Sequence, residues 1–359
     1  MIKKGNNLKP SRTPIILLIL LAVALFILIY VTIFSFAQIG NSDSRNNPHC
    51  YEASAESNKN NYVFLVCGKD TSSGLTDVIL IAKIDVEKNS INIVQIPRDT
   101  FVCLSNNKIK KINSVACDKN GVNGLKYLLE SSYNIKIDYT LEFTLASFSR
   151  FIDLIGGVII NVPCDMDYED PSQKLAIHLK QGGNLLYGDE ASAFVRFRSG
   201  YIQGDLARID AQKIFLASLA QTITKELSAS KIPAIVGALI GEVNTNMSLT
   251  ECLRLSKFAL NTDISNIKMV TLPGRDARSQ VNKGAWYYII NRESACDVIN
   301  KYIALTGNPV LIDDFDSEKH FCSAKYPHFE KIYNDQNCSF KEYQADKIIN
   351  NGIDIDLIQ

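Results

Sequence analysis

Residues 195–212, VRFRSGYIQGDLARIDAQ, bring three arginines together with acids and an amide in one short stretch. Read as a strand, residues 195–198 have a two-residue side-chain period, which puts Arg196 and Arg198 on one face with their guanidinium groups converging. After a glycine-containing loop, Asp205, Arg208 and Gln212 fall at i, i+3 and i+7 of a helix beginning near Asp205, so they share one polar stripe. Such a cluster is costly to assemble unless an anion sits within it, and the forked guanidinium matches phosphate oxygens best. The stretch reads as an oligophosphate site. The same residues admit a plainer account, in which Asp205 caps the helix, Arg208 makes a local ion pair and the strand arginines are solvated.

A second constellation lies upstream. Asp70 stands at the exit of one apolar run, Asp77 at the entrance of the next, and Arg98 in Pro97-Arg98-Asp99 just past the end of a third. If the three runs are neighbouring strands, all three side chains lie along one sheet edge. Two carboxylates so placed suit a hard divalent ion such as magnesium, which takes one or two protein carboxylates and fills its shell with phosphate oxygens and water. Turn chemistry is the competing account, because aspartate is common where strands begin and end. Lys108, Lys110 and Lys111 read as a solvated basic run. Asp165, Asp167, Glu169 and Asp170 read as a solvated acidic loop, with weak calcium binding as the alternative and no EF-hand spacing. His178 sits in a strand-like LAIHLK with no second histidine spaced to share a metal.

These groups need a scaffold, and the apolar pattern supplies one. Residues 62–66 (YVFLV), 78–84 and 90–96 read as strands, the last two joined by a polar turn at 85–89 as an antiparallel hairpin. Helical periodicity covers 121–133 and 144–155, the second stopping at Gly156-Gly157. A strand follows at 158–162. The helix carrying the polar stripe runs on to about residue 227, with Ile214, Phe215, Leu219 and Ile223 as an opposite, buried face. Further helices are expected at 232–240, 249–260 and 292–303, and a strand at 267–272. Arg275, Arg278 and Trp286 fall in a loop opened by Pro273-Gly274. Residues 307–359 read as a partly ordered tail with no assignable role. The expected class is α/β (α+β): one domain, 61–306, with a mixed central sheet flanked by helices.

At 359 residues and 46% apolar composition the chain can bury a sizeable core. Thirty-eight basic residues balance 38 acidic ones, so no global positive field would gather nucleic acid, and anion binding must be local. Residues 15–34, IILLILLAVALFILIYVTIF, form an unbroken apolar run long enough to span a bilayer as a helix. Lys3, Lys4, Lys9 and Arg12 precede it, which places residues 1–13 in the cytoplasm, the anchor at 14–36, a polar linker at 37–60 and the rest outside the plasma membrane. The run exceeds the core of a cleaved signal peptide. Nine cysteines on the exported side permit disulfides and leave at least one unpaired. Cys103 with Cys117 and Cys322 with Cys338 are the expected pairs, each bracketing a loop.

The strings GKD, TDVILIAKID, IPRDT, KIN, LIGGVIINVPCDMDYED, HLKQGGNLLYGDEA into VRFR, and GDLARIDAQ, in that order over residues 61–302, resemble the LytR-CpsA-Psr family. That resemblance implies an enzyme on the outer face of the membrane that moves an anionic glycopolymer (teichoic acid, capsule or another wall polysaccharide) from a polyprenyl-pyrophosphate carrier to peptidoglycan. Matched position by position, it implies magnesium or manganese held by Asp70 and Asp77. Pyrophosphate-binding arginines fall at Arg98, Arg196 and Arg198, further site residues at Asp99, Arg208 and Gln212, and a pocket lysine at Lys111. Negative charge building up on phosphate oxygens during such a transfer would be stabilised by arginines and a metal. Asp99 and Asp205 are the candidates for orienting donors or taking the acceptor proton. The resemblance also implies a hydrophobic tunnel for the lipid between the sheet and the helices at 121–133, 144–155 and 211–227. Two rival functions remain at this level: a lipid-pyrophosphate phosphatase, and a non-catalytic binder of lipid-linked glycan that regulates envelope assembly.

Overall fold

A computed structural model of the chain describes residues 59–104, 109–170, 175–197, 205–239, 241–278, 285–305, 309–312, 340–351 and 353, without the side chains of Cys103, Leu175 and residues 205–207. The expected anchor, the linker up to residue 58, Arg198, Lys108, Cys322 and Cys338 lie outside the described residues. All the described residues fall in one compact unit, Asn58–Gln359. Among them no helix is long and apolar enough to cross a membrane.

Strand β1 (Asn61–Lys69) is apolar at nearly every position because it is covered on both sides. Val63, Leu65 and Cys67 point into one core, while Tyr62, Phe64 and Val66 point the opposite way. It pairs antiparallel with β2 (Thr76–Asp85), which forms the expected hairpin with β3 (Ser90–Gln95). The hairpin β4 (Phe101–Cys103) and β5 (Ile109–Lys111) follows, then helix α1 (Gly121–Tyr133), β6 (Tyr139–Thr144) and helix α2 (Leu145–Ile155). Thr144 caps α2 by accepting from the Ser147 amide, and Gly156 ends it in the left-handed region with φ 98°. Three short strands come next, β7 (Val158–Val162), β8 (Met166–Asp170) and β9 (Leu175–Leu179), followed by β10 (Gly182–Leu186), helix α3 (Gly188–Arg196) and helix α4 (Asp205–Gln221). Helix α5 (Ile232–Leu239), β11 (Asn244–Thr245), helix α6 (Leu249–Asn261) and β12 (Ile267–Thr271) complete the middle of the chain. The hairpin β13 (Gly274–Arg278) and β14 (Trp286–Ile290), helix α7 (Arg292–Tyr302), β15 (Glu342–Gln344) and helix α8 (Ala345–Asn351) close it.

The central sheet has the order β11-β6-β1-β2-β3-β12-β15. It is mixed as expected: β1 with β6 and β3 with β12 are parallel, and the other neighbours are antiparallel. Residues of α1 and α7 fill the core on one face, and residues of α2, α3, α4 and α8 fill the core on the other. The layers are therefore helix, sheet, helix.

Four expectations are corrected here. Residues 274–278 and 286–290 are paired antiparallel strands rather than loop, with Gly274 opposite Ile290 and Arg278 opposite Trp286. Residues 165–170 are mostly strand β8, paired residue for residue with β9, so Asp167 faces His178 across the ladder at 2.7 Å and Lys180 holds Asp165 at 2.9 Å. The tail, to which the sequence assigns no role, is in its described part built into the fold: β15 extends the sheet beside β12 and α8 packs on α4. Cys117 is a free, exposed thiol whose Sγ donates to the Gly74 carbonyl at 2.8 Å, so it makes no disulfide with Cys103.

Candidate active site

The loop between β1 and β2 sets both expected metal ligands. Gly68 opposes Val78 and Lys69 opposes Thr76, which leaves Asp77 as the extra residue of a β-bulge. In a regular strand Asp77 and Val78 would point to opposite faces. The bulge re-aims the aspartate, and Asp77, Val78 and Leu80 all line the same cavity. Gly68 is needed at this crossing, because a Cβ there would stand 3.1 Å from Cβ of Val78. Asp70 begins a tight turn, accepting at Oδ1 from the amide (2.9 Å) and hydroxyl (2.7 Å) of Ser72 and at Oδ2 from the hydroxyl of Ser73 (2.8 Å). Burial alone would raise its carboxyl, but these hydrogen bonds outweigh burial and hold it below the ordinary aspartate value.

Arg98 follows the end of β3 in a turn fastened on three sides. Thr100 donates from both its amide and its hydroxyl to the Pro97 carbonyl, the Asn113 amide donates to the Arg98 carbonyl at 3.1 Å, and the Tyr288 amide donates to the Asp99 carbonyl at 2.8 Å. With its backbone fixed, Arg98 donates Nη1 to Asp77 Oδ1 at 2.7 Å. Its Nε lies 3.8 Å from Asp99, whose other oxygen is 2.6 Å from the Lys111 ammonium. A chain of alternating charge, Asp77, Arg98, Asp99, Lys111, thus runs along the sheet edge. Lys111 is on β5 and Lys110 pairs with Asp118 at 2.7 Å, so the described part of the basic run is engaged rather than solvated.

Arg196 reaches the cavity from a different element than its local sequence suggests. Residues 188–196, GDEASAFVR, are helix α3, with Asp189 and Glu190 in the first turn and Arg196 in the last, complementing the helix dipole at both ends. The strand reading of 195–198 is therefore wrong for Val195 and Arg196, and the shared face it gave Arg196 and Arg198 does not follow. Gly188 lets α3 lie against α2, since a Cβ there would be 2.3 Å from the Ser149 carbonyl oxygen.

Helix α4 begins at Asp205 as expected. Arg208 and Gln212 are 5% and 6% exposed and line the cavity. So do Phe215, Leu216 and Leu219, which continue the same stripe at 3.6-residue spacing. The expectation that Phe215 and Leu219 belong to an opposite face is corrected: one stripe is polar at its start and apolar beyond.

The cavity, of about 280 Å³, is graded accordingly. Asp70, Asp77, Arg98, Arg196 and Arg208 supply charge, whereas Phe143, Phe148, Phe151, Phe215, Leu216 and Leu219 supply an apolar wall. It lies between the sheet, α2 and α4. Helix α1 is on the other side of the sheet and has no part in it. Of the expected site residues, Asp70, Asp77, Arg98, Arg196, Arg208 and Gln212 line this cavity, Asp99 and Lys111 join it through Arg98, and the Asp205 side chain and Arg198 lie outside the description. Sequence reasoning missed Gln95 and Tyr168, both in the cavity wall. Gln95 had one signal, an amide set among apolar residues in a strand.

Fold and cavity together define a three-layer α/β protein with a pocket that is charged at one end and apolar at the other. The chain belongs to the LytR_cpsA_psr family, whose model matches residues 27–303. It is 29% identical over 207 residues to the polyisoprenyl-teichoic acid--peptidoglycan teichoic acid transferase TagV of Bacillus subtilis, a match covering 56% of this chain and 53% of TagV. It is 26% identical over 234 residues to TagU of Bacillus cereus, a transferase of the same description, covering 65% and 74%. The chain thus spans about half the length of TagV. The crystal structure of B. subtilis TagV superposes with a TM-score of 0.59 at 25% identity, covering 67% of this chain and 95% of that one.

Proposed function

We propose that this chain is a membrane-anchored phosphotransferase that moves an anionic glycopolymer from a polyprenyl-pyrophosphate carrier to peptidoglycan, leaving a phosphodiester. The observation that carries the reading is the graded cavity, charged where the ends of β1, β2 and β3 meet α3 and the start of α4, with Arg98, Arg196 and Arg208 beside Asp70 and Asp77, and apolar between α2 and α4. A diphosphate with a hydrocarbon tail has the same gradient. Family membership and the names of the relatives support the same reaction.

In the proposed step an acceptor hydroxyl oxygen bonds to the phosphorus that carries the glycan. The bond from that phosphorus to the oxygen of the lipid-bearing phosphate breaks, and polyprenyl phosphate departs with the electron pair. Arg98, Arg196 and Arg208 would face the phosphoryl oxygens on which charge accumulates, and the family match adds Arg198 to them. Both oxygens of Asp99 face cations, so Asp99 orients Arg98 and Lys111, and Asp205 is the candidate for taking the hydroxyl proton. Asp70 and Asp77 are hard oxygen donors lining one cavity, with Asp70 held deprotonated by the serine hydrogen bonds. Among the described residues no group of three or more histidines, cysteines or carboxylates gathers to hold a metal alone. The pair therefore suits magnesium or manganese that completes its shell with diphosphate and water, where the ion would neutralise charge on the leaving phosphate. Residues 15–34 would anchor the chain with the site outside the plasma membrane.

The test is incubation of the full chain, in detergent, with lipid-linked glycan, peptidoglycan and magnesium. A new glycan–wall phosphodiester is the expected product. Release of free glycan phosphate with no wall product would replace this reading with hydrolysis, and binding without turnover would replace it with a regulatory role.

A further inference from the structure

We propose that Gln95 is a positioning residue for the arginine cluster, an inference that rests on the transferase reading of the same cavity. Gln95 is 4% exposed, sits on β3 three residues before Arg98, and lines the cavity between apolar neighbours Val94 and Ile96. Its Nε2 donates to Oε1 of Gln212 at 2.6 Å, and Nε2 of Gln212 donates in turn to the carbonyl of Val195 at 3.2 Å. Val195 immediately precedes Arg196 in the last turn of α3, and Gln212 lies one turn past Arg208 on α4. Two amides therefore tie together the three elements that deliver Arg98, Arg196 and Arg208.

Stability alone does not account for an amide here. Oε1 of Gln95 is buried with no hydrogen-bond partner among the described residues, and an aliphatic side chain in the same place would avoid that cost. What the amide supplies is register: it fixes the end of α3 and the stripe of α4 against the strand that leads into Arg98. Displacement of a positioned group by about 1 Å is enough to lower turnover by up to about a hundredfold.

The test uses the full chain in detergent, with farnesyl diphosphate and farnesol as probes beside the transfer assay. Gln95→Met keeps length and apolar volume but removes both hydrogen-bonding atoms. The expected result is about a tenfold loss of farnesyl diphosphate affinity, the worth of a lost hydrogen bond, with farnesol binding unchanged. In an Arg196→Ala background the same substitution is expected to add a smaller loss than in the wild type, because the share exerted on Arg196 through Gln212 and the Val195 carbonyl is already gone while that on Arg98 and Arg208 remains. Should Gln95→Met fail to fold, Gln95→Asn, too short to reach Gln212, is the second variant with the same expected results. A variant that melts earlier yet binds the diphosphate as tightly as the wild type, or losses that multiply in the double variant, would overturn the proposal. Wild-type chain that binds the diphosphate but transfers no glycan would sink the transferase reading while the affinities still decide the role of Gln95. A wild type with no preference for diphosphate over alcohol would overturn both.

Discussion

Arg98 is the residue on which the site converges, since it pairs with Asp77, approaches Asp99 and lines the cavity. Removing one positioned donor from developing phosphoryl charge costs about a hundred- to a thousandfold in turnover, so Arg98→Ala should reduce wall attachment to that extent. Arg98→Lys keeps the charge but loses the fork and should recover only a fraction of it. Product counted per folded molecule checks both, and a fully active Arg98→Ala chain would remove the arginine cluster from the mechanism. Asp77→Asn tests the metal assignment through a higher magnesium requirement in the same assay. That Asp70, Asp77 and Arg98 come together was legible in the sequence, because each adjoins an apolar run that reads as a buried strand. Arg196 was misread, because the alternation in VRFR fits a strand and the last turn of a helix equally; the Ala- and Glu-containing residues upstream decide it. Gln95 was passed over because a lone amide in a strand usually faces solvent.

At the scale of elements, α2 and α3 approach closely. Gly188→Ala would drive a Cβ against the Ser149 carbonyl oxygen, backbone that cannot swing aside, at a cost of about 1–3 kcal/mol. Urea unfolding should show a lower midpoint with an unchanged slope. Because α3 carries Arg196, the folded fraction should also transfer more slowly. The strand β15 is held by charge. Glu342 sits 3.2 Å from Lys268 and 2.8 Å from Lys301 and accepts from the Tyr302 hydroxyl. Burial alone would raise its carboxyl, but the hydrogen bonds from Lys301, Tyr302 and Lys268 prevail and bring it down to about 2. A carboxyl depressed on folding stabilises the folded form above its ordinary value of 4.5, and that contribution is lost as pH falls towards about 2. Protection of the amides of residues 342–351, corrected for the intrinsic pH dependence of exchange, should therefore fall across that interval, and Glu342→Gln should flatten the response. Little of this was legible: a three-residue strand carries too little pattern to be told from a loop, and its burial exists only because β12 offers an edge.

For the whole molecule, the mixed sheet followed directly from the order of apolar runs, whereas the cavity did not, because an apolar helical stripe reads the same whether it fills a core or lines a void. The C-terminal segment has a global part to play. It covers the β12 edge and, through α8, the side of α4 opposite the cavity wall; Tyr343 also carries the buried Lys213 ammonium 4.5 Å over its ring. A chain ending at residue 339 should melt at least roughly 5 °C lower and self-associate through the uncovered strand. Differential scanning calorimetry and sedimentation would show both; an unchanged melting point would mean that the segment is only an appendage.

The β-bulge at Asp77 separates the direction of that side chain from the length of the connection before it. Changes at residues 71–75 should leave the Asp77 carboxylate aimed inward, because its orientation is set by the mismatch with Gly68 and Lys69, whereas Asp70 depends on Ser72 and Ser73 within that same turn. The two carboxylates are thus aimed by separate devices, one by strand register and the other by the turn, so an insertion that disorders the second leaves the first untouched.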